Sequence, residues 1–235
     1  MAPAAAAAGP GLPAWNRAAW AAALLAGLAL RLWWVHAHAA LEGDPQVYAD
    51  IARNWLTHGV YGVTTSSPAP VSSGAPAGAS TVQPTLIRLP GYPLFLALCF
   101  RLFGLARLRA VLLVQVAVDL GTCALLASVA RRLWSRRAGM VTLWLAALCP
   151  FTATYVAAPL TETLELFAMA AALFLFARLA GAPAGDEDRD HMLLAGPQPW
   201  RKAWVPALLL GLSWSYAALL RPDGALLAVT LCPAL

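Results

Sequence analysis

Leu89-Pro90-Gly91-Tyr92-Pro93-Leu94-Phe95-Leu96-Ala97-Leu98-Cys99-Phe100-Arg101-Leu102-Phe103 is apolar enough for a membrane and too short to cross one. Fifteen helical residues reach only ~22 Å against a hydrocarbon layer of ~30 Å. Pro90, Pro93 and Arg101 shorten the usable stretch further. The segment therefore predicts a re-entrant or interface-lying helix. Its reading decides the side on which every later residue lies. If it crossed, the cluster Arg131, Arg132, Arg136 and Arg137 would be translocated. If it does not, that cluster stays on the cytoplasmic side together with the polar loop Gly181–Lys202, as the positive-inside rule requires.

Outward from this segment the apolar runs predict spans at about Trp15–Val35, Ala110–Leu133, Ala138–Tyr155, Leu160–Leu179 and Ala203–Leu220, with a partial span after Arg221. Of the 235 residues, 60% are hydrophobic and 11% charged, where a soluble domain carries about 25% charged residues. The fold class is all-α, a polytopic transmembrane helical bundle in the cell membrane. It comprises a module over 15–235 behind a low-complexity Ala/Pro/Gly tail over 1–14, which is expected to be disordered. The stretch 41–109 forms a long extracytoplasmic loop with juxtamembrane helices, and 181–202 a cytoplasmic loop. Arg31 near the end of the first span is expected to snorkel to the headgroups beside Trp33 and Trp34.

The net charge is +5, and all the basic residues except Lys202 are arginines that flank apolar runs. This suits anionic lipid headgroups and gives no nucleic-acid stripe. Cys99, Cys123, Cys149 and Cys232 lie in apolar segments without metal-ligand spacing. His36 and His38 read as interfacial.

The loop divides in two. Asp44–Leu56 predicts an amphipathic helix with Asp44 as N-cap, Pro45 at N1 and Val47, Ile51 and Trp55 along one face. Val63–Pro84 carries no charge and reads as a flexible insertion. An acid at the membrane surface is costly to keep, so Asp44 is either a cap or a group retained for chemistry. Arg88 and Arg109 at span ends are headgroup contacts or clamps on a lipid-linked phosphate, where a guanidinium offers two parallel hydrogen bonds. Glu162 and Glu165, in a first helical turn that Thr161 can cap, either answer the helix dipole or support an oxygen-liganded Mg²⁺ or Mn²⁺. Asp50 and Arg53 read as a solvated pair. Asp119, an acid in mid-span, must pair or line a polar cavity, and Gln115 one turn earlier is the expected partner.

Tyr48-Ala49-Asp50-Ile51-Ala52-Arg53-Asn54-Trp55, Arg88-Leu89-Pro90-Gly91-Tyr92-Pro93-Leu94-Phe95-Leu96, Ala130-Arg131-Arg132-Leu133-Trp134, Cys149-Pro150 and Thr161-Glu162-Thr163-Leu164 occur in that order. The set resembles bacterial GT-C glycosyltransferases of the protein O-mannosyltransferase and aminoarabinose-transferase group (glycosyltransferase family 39-like). The resemblance runs over about Leu24–Gly224. It implies a polyprenyl-phosphate-linked sugar as donor, a glycan, lipid or protein acceptor on the extracytoplasmic side, and Asp44 at the place of the first-loop catalytic aspartate. Family members are longer and have more spans, so a truncated member is expected. The acidic pair common in relatives is here Asp44-Pro45. The rival reading is a non-catalytic membrane protein that binds or flips lipid-linked saccharides.

Overall fold

The structure is a computed structural model and describes residues 14–39, 42–66, 80–180 and 200–231. The tail expected over 1–14 and the loop expected over 181–202 fall almost wholly outside these residues, as does Cys232. Among the described residues the chain forms nine helices and one hairpin: α1 (Ala14–Ala37), α2 (Asp44–His58), β1 (Gly62–Ser66), β2 (Ser80–Pro84), α3 (Gly91–Phe103), α4 (Leu108–Leu133), α5 (Arg136–Ala147), α6 (Pro150–Val156), α7 (Glu162–Leu179), α8 (Trp200–Leu220) and α9 (Gly224–Leu231). It is an all-α helical membrane protein with one small β-ribbon. By length and hydropathy two helices can each cross a membrane, over Arg17–Ala37 and Leu108–Leu133.

The single span expected over Ala138–Tyr155 is broken. α5 and α6 meet at a 52° bend because Pro150 opens α6 and has no N–H to return to Ala146. Carbonyls at this break help to hold a fully buried charge. Arg31 of α1 does not snorkel; it is 0% exposed and pairs with Asp119 of α4. Its Nε donates to Asp119 Oδ2 at 2.5 Å, one Nη to the carbonyls of Gly27 (3.0 Å) and Ala147 (2.6 Å), the other to Ala146 O (3.3 Å) and Cys123 Sγ (3.4 Å). Five N–H donors thus meet five acceptors, so the guanidinium has no need of water. Around this knot α1, α4 and α5 pack Ala23, Cys123, Ala127 and Leu143.

Asp119 is therefore not held by Gln115. Gln115 accepts from the Tyr92 hydroxyl (2.5 Å) and donates to Ala158 O (2.9 Å) and Val156 O (3.4 Å). This joins α3, α4 and the end of α6. A second core gathers Tyr48 and Ala52 of α2, Tyr92, Leu96 and Phe100 of α3, Val111, Leu164 and Leu220. The core face of α2 is thus centred on Tyr48, Ile51 and Ala52, while Trp55 is exposed. Gly91 lets α3 start against the end of α8, since a Cβ there would stand 2.6 Å from Leu219 O. The Tyr216 hydroxyl donates to Gly91 O at 3.3 Å.

Val63–Pro84 is not simply an insertion. Its two ends form an antiparallel ladder from Gly62↔Pro84 to Ser66↔Ser80, and 67–79 lies outside the described residues. α2 closes the outer edge of β1 with side chains. Asn54 donates to Gly62 O (3.0 Å), and Asp50 accepts from Thr64 N (2.5 Å).

Removing one partner of the buried pair strands the other charge, at a cost of about 3–5 kcal/mol. Arg31→Met and Asp119→Leu are each expected to lower the thermal unfolding temperature in detergent strongly, and the double variant to recover most of the loss. A double variant that loses the sum of the two single losses would show that the two residues act independently and that the pair is not the constraint.

Candidate active site

α2 begins differently from its sequence expectation. Gly43 is the N-cap residue, and no side chain caps the helix. Gly43 O accepts from Gln46 N and Val47 N, and Pro45 has no N–H to satisfy. The carboxylate of Asp44 is free to turn outward, and Arg88 Nη2 donates to its Oδ1 at 2.5 Å. The residues are 44 positions apart, so the pair is tertiary. Asp44 is 58% exposed and Arg88 30%.

The hairpin aims Arg88. The Tyr61 hydroxyl donates to Arg88 O at 2.8 Å, and Thr85 N donates to Tyr61 O at 3.0 Å. Tyr61 packs edge-on against Trp55 with ring centroids 5.5 Å apart. The Arg88 guanidinium lies over the Tyr48 ring, 5.3 Å from its centroid, an arrangement that favours the cation. Arg88 Nε is buried and has no hydrogen-bond partner among the described residues. The fork is half used.

Tyr48 connects this pair to the bundle. Its ring meets Tyr92 edge-on at 5.1 Å, and Tyr92 is anchored through Gln115 to α4. Burial pushes the Tyr48 phenol above its usual range. Arg88 opposes that shift, Asp44 and Glu162 add to it, and Arg221 lowers it. One ring therefore feels four charges drawn from α2, the loop before α3, the start of α7 and the end of α8.

Arg221 is the residue that sequence reading missed. It follows α8 and lies 3.5 Å from Glu162, 3.4 Å from Glu165 and 3.3 Å from Asp223. The signal was present in Arg221-Pro222-Asp223-Gly224, a charged turn closing an apolar run. Thr161 does not cap α7 with its side chain; its hydroxyl lies 3.4 Å from Glu162 Oε2. With a guanidinium already among Glu162, Glu165 and Asp223, the donor set does not suit a divalent cation, and no group of three ligating side chains forms among the described residues. Arg109 is exposed in the first turn of α4 and joins no ion pair among the described residues.

On another face of α2, Asp50 and Arg53 do pair and remain partly exposed. Asp50 is also tied to Thr64, through its N–H and hydroxyl. They line an open cleft of about 480 Å³ with Gln46, Val47, Val63 and Leu108. At the opposite end of the bundle lie Arg131 and Arg132 in the last turn of α4, Arg136 and Arg137 in the first turn of α5 and Arg178 in the last turn of α7.

The site is thus an acid–arginine pair with further charges gathered at one end of a helical membrane protein. Residues 83–188 match the dolichyl-phosphate-mannose-protein mannosyltransferase family. The match supports a membrane glycosyltransferase of GT-C type and bears out the resemblance read from the Arg88–Leu96 block. It takes in Arg88, α3, α4 and Glu162; Asp44 precedes it and Arg221 follows. No curated protein and no solved structure matches the chain.

Proposed function

We propose that this protein transfers a sugar from a polyprenyl-phosphate donor to an acceptor hydroxyl on the extracytoplasmic side of the cell membrane, with Asp44 as general base and Arg88 as phosphate ligand. The observation that carries the reading is the Asp44–Arg88 contact at 2.5 Å, across 44 residues and against Tyr48. Asp44 takes the proton of the acceptor hydroxyl as its oxygen attacks the anomeric carbon. The bond from that carbon to the phosphate oxygen breaks, and the lipid phosphate leaves with the electron pair. Arg88 faces the charge that develops on the phosphate, and once Asp44 is displaced its guanidinium can offer a forked contact.

The pairing has a mechanistic consequence. An arriving phosphate competes with Asp44 for the same guanidinium, so donor binding releases the carboxylate for the acceptor. Glu162 and Arg221 act electrostatically on Tyr48, the ring beneath Arg88. Arg109 is a more distant contact for lipid headgroups or donor. Asp119, the mid-span acid that leaned towards the rival binding or flipping reading, is paired with Arg31.

The distribution of charge supports the sidedness. The arginine-rich end suits the cytoplasm and the Asp44 end the outside, with the chain multi-pass. Arg137→Cys is expected to resist membrane-impermeant thiol reagents in intact cells while Glu42→Cys reacts. Labelling of Arg137→Cys from outside would reverse this topology.

Asp44→Asn removes the base and leaves the helix start almost unchanged, since Gly43 is the cap. Transfer from polyprenyl-phosphate sugar is expected to fall at least ~10²-fold, the lower end of what a positioned base contributes. Arg88→Lys keeps the charge but loses the fork, and is expected to weaken donor affinity. Near-normal transfer by Asp44→Asn would return Asp44 to a purely structural pairing role.

A further inference from the structure

We propose that the arginines at the end of the bundle opposite Asp44 form a binding site for the phosphate of an anionic phospholipid. The residues are Arg131, Arg132, Arg136, Arg137 and Arg178, drawn from three helices that packing brings to one corner. Phe174 of α7 ties two of them together. The guanidinium carbons of Arg132 and Arg178 each lie 5.9 Å from its ring centroid. The two cations therefore stand no further apart than twice that distance, and Arg131 and Arg178 both act electrostatically on Arg132. Gly139 ties in α5. A Cβ there would stand 2.8 Å from Arg131 Cβ and 2.9 Å from Ala127 O, so the start of α5 lies against the last turns of α4. Arg136 and Arg137 open α5 in the turn before that contact.

Ordinary explanations cover part of this arrangement. Arg131, Arg132 and Arg178 occupy last helical turns, where the dipole favours cations. Arg136 and Arg137 occupy a first turn that holds no acid, where the dipole opposes them. The positive-inside bias selects a side for arginines but gives no reason to gather them from separate helices about one ring. Like charges held this close repel, and a phosphate among them replaces that repulsion with forked, charge-assisted hydrogen bonds. The corner itself points to lipid as the source of the phosphate. α4 is long and apolar enough to cross a membrane, which sets its last turn at the surface. Trp134, between the two arginine pairs, is 63% exposed beside an exposed Leu133, an amphipathic ring of the kind that sits at headgroup level. A soluble phosphate would gain nothing from that apolar flank. The site is separate from Asp44 and Arg88 and stands whether or not the sugar-transfer reading holds.

The test titrates the full chain in detergent micelles with phosphatidylglycerol, phosphatidylcholine or inorganic phosphate. Bound lipid is counted by native mass spectrometry, and the thermal unfolding temperature is followed alongside. Wild type is expected to bind phosphatidylglycerol at least ~10-fold more tightly than phosphatidylcholine, a difference that one net charge among several guanidiniums supplies. Its unfolding temperature is expected to rise as phosphatidylglycerol saturates. Arg132→Gln/Arg178→Gln is expected to remove the preference. Arg17→Gln/Arg101→Gln, which takes two exposed arginines from elsewhere on the surface, is expected to keep it. Arg136→Gln/Arg137→Gln alters only exposed side chains, guards against misfolding of the first variant, and is expected to weaken phosphatidylglycerol binding as well. Equal losses in Arg132→Gln/Arg178→Gln and Arg17→Gln/Arg101→Gln would make the effect one of net charge and overturn the site. Protection by inorganic phosphate equal to that by phosphatidylglycerol would overturn the assignment to lipid. Absence of the preference in wild type would overturn the proposal. A fall in unfolding temperature on replacing Asp186, Glu187, Asp188 and Asp190 by their amides would then assign the arginines to those acids of the same chain.

Discussion

A guanidinium and a carboxylate buried among apolar helices admit few arrangements, and the Arg31–Asp119 pair sets the frame for the rest. Neither charge can be left alone in a medium that offers no water. Satisfying the remaining donors of Arg31 brings in the carbonyls of Ala146 and Ala147 at the end of α5, where Pro150 interrupts the helix. The break between α5 and α6 is thereby stabilised. The end of α6 then presents Val156 and Ala158 to Gln115, and Gln115 fixes Tyr92. Tyr92 supports Tyr48, and Tyr48 lies under Arg88. The order at the membrane surface is thus inherited, contact by contact, from a pair in the interior. Such a pair adds little net stability over apolar residues of like volume, but it is expensive to break.

At the surface the proposed mechanism turns on competition. Arg88 holds the carboxylate of Asp44, and under the proposed function the donor phosphate would claim the same guanidinium. Both groups are partly exposed, so exchanging one for the other does not require a buried charge to be stranded. Arg221 plays a comparable role for Glu162, Glu165 and Asp223. Four charges around a single phenol make the local field sensitive to each of them.

The sequence carried the membrane class, the positions of α1 and α4, the short α3 and the Arg88–Leu96 block, because length and hydropathy act locally. It did not carry partnerships. Asp44 looked like a cap because Asp before Pro satisfies helix-start chemistry by itself, yet Gly43 supplies that start and frees the carboxylate. Gln115 looked like the partner of Asp119 by helical spacing, but the fold brings Arg31 from 88 residues away. Val63–Pro84 looked unstructured because Gly62–Ser66 and Ser80–Pro84 are small, polar strands with little alternation. Their ladder depends on Asn54 and Asp50 of α2. Arg221 was overlooked because a single arginine after an apolar run has an ordinary explanation in headgroup contact.

Equilibrium binding of undecaprenyl phosphate to wild type, Asp44→Asn and Arg88→Ala, at fixed ionic strength, tests the shared use of Arg88 most directly. If the carboxylate and the phosphate compete for one guanidinium, Asp44→Asn is expected to bind the lipid more tightly than wild type, and Arg88→Ala more weakly. Parallel weakening in both variants, or no change in either, would contradict that competition.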